Sequence, residues 1–115
     1  MNIKRGEIWL VNLDPTIGSE IKKTRPVVII SSNELGILPI RLVAPLTGWK
    51  DYFENNLWHV KIIPDGTNNL EKKSAIDVLQ LRGIDTTRCI KKIGHISQEK
   101  MNEIVETVAL VVDYE

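Results

Sequence analysis

An arginine followed by a proline at the head of an apolar run, Arg25-Pro26-Val27-Val28-Ile29-Ile30, is the arrangement in this chain best suited to chemistry on a phosphate. A guanidinium keeps its charge at physiological pH and offers paired donors in one plane, which fits two oxygens of a single phosphate. Proline holds the residue before it out of the helical region, and the apolar run anchors the backbone, so the cation leaves the chain in a defined direction. Thr47, after Pro45-Leu46, adds a hydroxyl that can donate to a phosphate oxygen without adding charge. Each also has an ordinary use, Arg25 in a surface ion pair and Thr47 in a local backbone bond of a turn.

Other chemistries fit less well. His59, His95 and Cys89 have none of the paired spacings of zinc sites, and no run of carboxylates suits a magnesium-nucleotide site, so neither a metal nor a cofactor is expected. Gly18-Ser19-Glu20 lacks the second glycine of a nucleophile elbow, and no glycine-rich phosphate loop is present. RNA offers a route that needs none of these groups. Its 2′-hydroxyl can attack the adjacent phosphorus if the protein removes a proton, steadies the developing charge and lets the 5′-oxygen leave protonated. A positioned arginine supplies the middle function.

At 115 residues, the chain is expected to form a single domain over residues 1–115. The longest apolar runs fall far short of the roughly 18 residues of a membrane span, and the single cysteine suits a reducing compartment, so a soluble, cytoplasmic protein is expected. A formal net charge of zero argues at first against a nucleic-acid binder. The average conceals a segregation: residues 97–115 hold Lys100 against Glu99, Glu103, Glu106, Asp113 and Glu115, a net of −4, which leaves +4 on residues 1–96. Any RNA surface therefore belongs to the first part.

The elements that must hold these groups read mainly as strands. Glu7 to Leu13 alternates and ends at Asp14-Pro15; Val27 to Ile30 has the β-branched composition of a strand buried on both faces. Ile37 to Leu46 predicts another strand, interrupted by Pro39 and Pro45. Residues 48–56 read as a polar loop with aromatic insertions, Trp58 to Ile63 as a strand before the turn Pro64-Asp65-Gly66, and Ser74 to Leu81 as a further strand. The period then changes. Met101, Ile104, Val105, Val108 and Val112 predict the apolar face of one helix, with Ser97 as its N-cap and Ile96 against Met101 as a hydrophobic staple.

The stretch from Arg5-Gly6-Glu7-Ile8-Trp9 through Asp14-Pro15 and Gly18-Ser19-Glu20 to Arg25-Pro26, then Ala44-Pro45-Leu46-Thr47 and Gln80-Leu81-Arg82-Gly83-Ile84-Asp85, resembles the MazF/PemK (Kid) toxins in order and spacing over nearly the whole chain. These are ribosome-independent endoribonucleases of toxin-antitoxin pairs. The resemblance implies a homodimeric SH3-like barrel with the C-terminal helix packed against it. It also implies metal-independent, sequence-specific cleavage of single-stranded RNA, mRNA included, to 2′,3′-cyclic phosphate and 5′-hydroxyl ends. The implied partner is a cognate antitoxin whose acidic, extended segment occupies the RNA groove.

By the same resemblance Arg25 is the catalytic arginine, which stabilises the transition state and is also a candidate to donate the proton, and Thr47 is the phosphate-contacting or catalytic hydroxyl. Ser19 and Glu20 match the loop element that orients Arg25 or contacts RNA, Glu20 being the better proton acceptor. Gln80 and Arg82 match its Gln-x-Arg element. Several members of the family carry an acid just before that glutamine, where this chain has Leu79, so the proton acceptor is the least secured part. Asp77 is a candidate substitute, although in a regular strand Asp77 and Gln80 point to opposite faces unless a bulge intervenes. Trp49, Tyr52 and Phe53, with Lys50 beside them, are candidate base-stacking residues, Trp49 or Phe53 being otherwise a cover for the core, and Lys22, Lys23, Lys72 and Lys73 suit phosphate steering. Two other readings stand beside this one. A CcdB-like gyrase poison would share the barrel, but it is recognised by a Trp-Gly-Ile ending where this chain reads Val112-Asp113-Tyr114-Glu115; a nuclease-dead relative would bind RNA or antitoxin only.

Overall fold

Seven strands and a helix follow one another along residues 2–114, which the computed structural model describes. They are β1 (Glu7–Asn12), β2 (Thr24–Ile29), β3 (Ile40–Gly48), β4 (His59–Ile62), β5 (Ser74–Asp77), β6 (Arg82–Asp85), β7 (Cys89–His95) and α1 (Gln98–Val111). Every pairing is antiparallel, in the order β4-β5-β3-β2-β1-β7, with β6 alongside β3. The bent sheet and its C-terminal helix form the expected barrel-like fold.

β3 organises it. One edge pairs with β2 at Val43–Pro45; the other pairs with β6 over Ile40–Val43 and then with β5 over Leu46–Gly48. Pro45 falls between these last two partnerships, where no ladder donor is called for, so the proline sits inside the strand instead of breaking it. The expected strand thus starts later and ends later than the sequence pattern: Ile37, its predicted first residue, is fully exposed before β3 begins.

The central strands are buried on both faces, as the composition of β2 requires. Ile8, Val28, Ala44 and Leu46 face a core closed by Met101 and Ile104 of α1; Trp9, Val11, Val27, Ile29 and Val43 face a second core completed by Leu13, Ile84 and Cys89. Burial pushes the Cys89 thiol above its usual range, so it is a packing residue. β7 reaches its place because Gly94 has no side chain: a Cβ there would lie 2.4 Å from the Thr67 carbonyl oxygen.

Three expectations are corrected. The strand predicted to run to Leu81 stops at Asp77, whose carboxylate accepts the Gln80 amide and turns Val78–Gln80 into a 3₁₀ turn. That turn removes the parity conflict between Asp77 and Gln80. β6 and β7, short or rich in exposed polar residues, complete the sheet without a matching expectation. The helix buries Met101, Ile104 and Thr107, while Val105 and Val112 face outward; its seat on β4 and the 78–80 turn fixes a face rotated from the apolar stripe. Ser97 caps it as expected, accepting the Lys100 amide at 3.0 Å. No helix among the described residues is long and apolar enough to cross a membrane.

Candidate active site

Arg25 and Thr47 line one groove where β2 and β3 part. The last paired couple is Val27 with Pro45, and continuing that antiparallel register by two residues sets Arg25 opposite Thr47. There β3 has turned to β5, with Thr47 facing Ala75 in the ladder, so the space between β2 and β3 opens into a groove of about 640 Å³. Its walls include Lys23, Arg25, Thr47, Glu71, Lys72, Lys91 and Lys92. Arg25 is half-buried, and its Nε donates to the Lys22 carbonyl at 3.3 Å, which spends one donor on orientation and leaves the terminal nitrogens of the fork for a ligand. Lys72 lies over Gly48: a Cβ on that glycine would stand 3.2 Å from the ammonium. The absence of a side chain at Gly48 therefore lets a cation lie beside Thr47. Lys92 is held at 2.8 Å by Glu7.

A second cleft, of about 580 Å³, is lined by Ser19, Glu20, Pro45, Leu79, Gln80 and Arg82 among others. Glu20 lines this cleft and not the groove of Arg25. Its Oε1 accepts the Ile17 amide at 2.6 Å, so the exposed carboxylate is tied to its own loop. Gln80 grips that loop on both sides of Glu20, its Oε1 accepting the Ile21 amide at 2.5 Å and its Nε2 donating to the Ser19 carbonyl at 3.1 Å. Arg82 donates to the Leu13 carbonyl at 3.2 Å, at the base of the same loop. Both residues of the Gln-x-Arg element thus brace the loop while lining the cleft.

Other expected contact residues lie elsewhere. Asp77 reaches neither cleft: it is buried, caps the 78–80 turn and faces His59 Nε2 at 3.5 Å. Burial drives its carboxyl above the usual range, with His59 and the Gln80 and Leu79 amides pulling the other way. Trp49 packs edge-on to Phe53 under the Lys61 ammonium, and Phe53 stacks on His59 at 3.9 Å, so these aromatics cover the Asp77 pair. Lys50 and Lys22 are exposed and line neither cleft. Sequence reasoning missed Glu71, Lys91 and Lys92. The Lys91-Lys92 doublet in an alternating run was the available signal; for Glu71 there was none. No three His, Cys, Asp or Glu side chains among the described residues gather where they could hold a metal ion.

The chain is a small antiparallel barrel with Arg25 and Thr47 on one groove at an opened strand pair, and comparison with known proteins identifies the family. Residues 4–112 match the family described as the PemK-like, MazF-like toxin of type II toxin-antitoxin systems, and the chain belongs to it. It is 33% identical over 113 residues to endoribonuclease EndoA of Bacillus subtilis, covering 96% of this chain and 94% of that one. It is 30% identical over 121 residues to endoribonuclease MazF9 of Mycobacterium tuberculosis, covering 96% and 97%. A mycobacterial endoribonuclease solved in complex with its cognate antitoxin shares the fold, with a TM-score of 0.76 at 14% identity over 99% of this chain and 98% of that one.

Proposed function

We propose that this protein is an endoribonuclease toxin of a toxin-antitoxin system, cutting single-stranded RNA, mRNA included, at specific sequences in the cytoplasm. The observation that carries the reading is the presence of Arg25 and Thr47 on one lysine-edged groove at the parting of β2 and β3. In the reaction, the RNA 2′-hydroxyl gives up its proton as its oxygen bonds to phosphorus. The phosphorus–5′-oxygen bond then breaks, leaving a 2′,3′-cyclic phosphate and a 5′-hydroxyl. Arg25 and Thr47 hold the non-bridging oxygens as charge builds on them. Arg25 acts through its charge, and water in the open groove protonates the leaving oxygen. For Glu20 to accept that proton, the strand must run from the Arg25 groove into the neighbouring cleft, where the Ile17 amide holds the Glu20 carboxylate and Gln80 brackets its loop.

Two partners complete the reading. The relatives support a cognate antitoxin, whose acidic segment suits the lysines of the groove. A homodimer is supported by the exposed apolar side chains of Leu35, Ile37, Leu38, Ile40 and Leu42, a patch of the kind that marks protein interfaces. The test is cleavage of a long mixed-sequence RNA by the purified protein in excess EDTA. Cutting should persist, leave cyclic phosphate ends and stop when the scissile nucleotide carries a 2′-deoxy sugar. Cleavage of the deoxy substrate would mean an activated water and would overturn the mechanism; no cleavage of any RNA would leave a binding module.

A further inference from the structure

Behind the second cleft lies a buried polar pair, His59 and Asp77, that the reaction scheme does not use. The His59 ring, its side chain only 6% exposed, is clamped against Phe53 with the ring planes 23° apart. The Asn56 side-chain nitrogen meets its Nδ1 at 3.1 Å, an arrangement in which Nδ1 accepts and the ring proton sits on Nε2, facing Asp77. One oxygen of Asp77 takes that side, and the other accepts the Gln80 amide at 3.3 Å. This bond sets the 78–80 turn, and the turn delivers the Gln80 carboxamide to the Ile21 amide and the Ser19 carbonyl. Without the turn, a regular strand would point Gln80 and Asp77 to opposite faces.

We propose that Asp77, oriented by His59, is a positioning residue that fixes the Ser19–Ile21 segment through Gln80, and thereby sets the carboxylate of Glu20 for turnover. The geometry supports an indirect role: Asp77 reaches neither cleft, while Gln80 binds both neighbours of Glu20 and leaves Glu20 itself untouched. The relay also connects the aromatic loop at Phe53, between β3 and β4, to the β1–β2 loop.

The catalytic half rests on the nuclease reading; the structural half does not, and the test separates them. In the purified protein, hydrogen exchange at the Ile21 amide is compared with kcat and KM for Gln80→Ala, Asp77→Ala and Asp77→Asn. Loss of the relay should speed Ile21 exchange by about tenfold or more in Gln80→Ala and Asp77→Ala, and Asp77→Asn, which keeps an oxygen for the Gln80 amide, should restore protection. If the protein cleaves RNA, kcat should fall about tenfold with KM within about twofold, and Gln80→Ala should cost nothing further in a Glu20→Gln background, since both act on one proton transfer. Unchanged Ile21 exchange in a folded Asp77→Ala overturns the relay, whether or not RNA is cut. Should that variant fail to fold, unchanged exchange in Gln80→Ala, altered at a half-buried side chain, overturns it equally. Fast exchange with additive losses of kcat leaves a loop brace with no positioning role and overturns the catalytic half alone.

Discussion

In the proposed reaction Arg25 carries the heaviest demand, because β2 holds it opposite Thr47 in the continued β2–β3 register. Replacing it with alanine should lower kcat/KM by about a hundredfold or more, and Arg25→Lys should recover little, since an ammonium cannot present the paired donors that match two phosphate oxygens. Single-turnover cleavage of a fixed oligonucleotide measures both; full activity in a folded alanine variant would return Arg25 to an ordinary surface role. The proton acceptor divides two carboxylates in the same way. Glu20→Gln should lower kcat by roughly 10²- to 10⁴-fold with binding nearly intact, whereas Glu71→Gln, altered at a side chain on the Arg25 groove itself, should change kcat by less than about threefold. The reverse ranking would assign the proton to Glu71. Arg25 and Thr47 were put forward by the family resemblance against an ordinary use for each, and the structure adds that both line one groove. Glu71 was not legible in the sequence, because it is next to the groove only through the approach of residues 69–74 to β3.

Among the elements, the 3₁₀ turn after β5 has the most consequences and left the faintest trace in the sequence. Ser74 to Leu81 has the composition of one strand; what ends it at Asp77 is a single side chain capping an amide three residues on, a competition that hydrophobic period does not register. The buried carboxyl also gives the turn a pH signature. Its folded pKa lies above the unfolded value of 3.8, so the folded state holds the proton more tightly, and Asp77's contribution to stability is present below that value and is lost as pH rises through the folded pKa. Asp77→Asn should therefore be at least as stable as the parent at neutral pH, with its advantage shrinking toward pH 4, as urea denaturation at both pH values would reveal. A variant clearly less stable at pH 7 would mean that the His59 pairing outweighs desolvation. The helix illustrates the opposite case. Its existence, start and cap followed from period and from Ser97, but which stripe faced inward depended on the surface offered by β4 and the 78–80 turn, so Thr107 is buried and Val105 is not.

At the scale of the whole molecule, zero net charge is compatible with a polyanion ligand because the charges are sorted. The acids of α1 line neither cleft, and the groove gathers Lys23, Arg25, Lys72, Lys91 and Lys92 from the end of the β1–β2 loop, β2, β7 and the segment before β5. The sequence showed the sorting as +4 against −4, but not the convergence, since β7 was not anticipated and the barrel alone carries its lysines to β2. Convergence makes a quantitative prediction. Single-stranded RNA releases counterions with a slope of about −0.7 in log K against log salt for each phosphate neutralised. Lys92 is already engaged by Glu7, which leaves Lys23, Arg25, Lys72 and Lys91, so binding of a short single strand should show a slope near −3. Removing one steering lysine, as in Lys91→Ala, should reduce the slope by about 0.7 and weaken binding to all sequences alike, because a phosphate contact reads no base. Fluorescence anisotropy between 50 and 200 mM salt, a range over which these charges are progressively screened, provides the measurement. A slope near zero, or a slope untouched by Lys91→Ala, would show that the strand does not run along this groove.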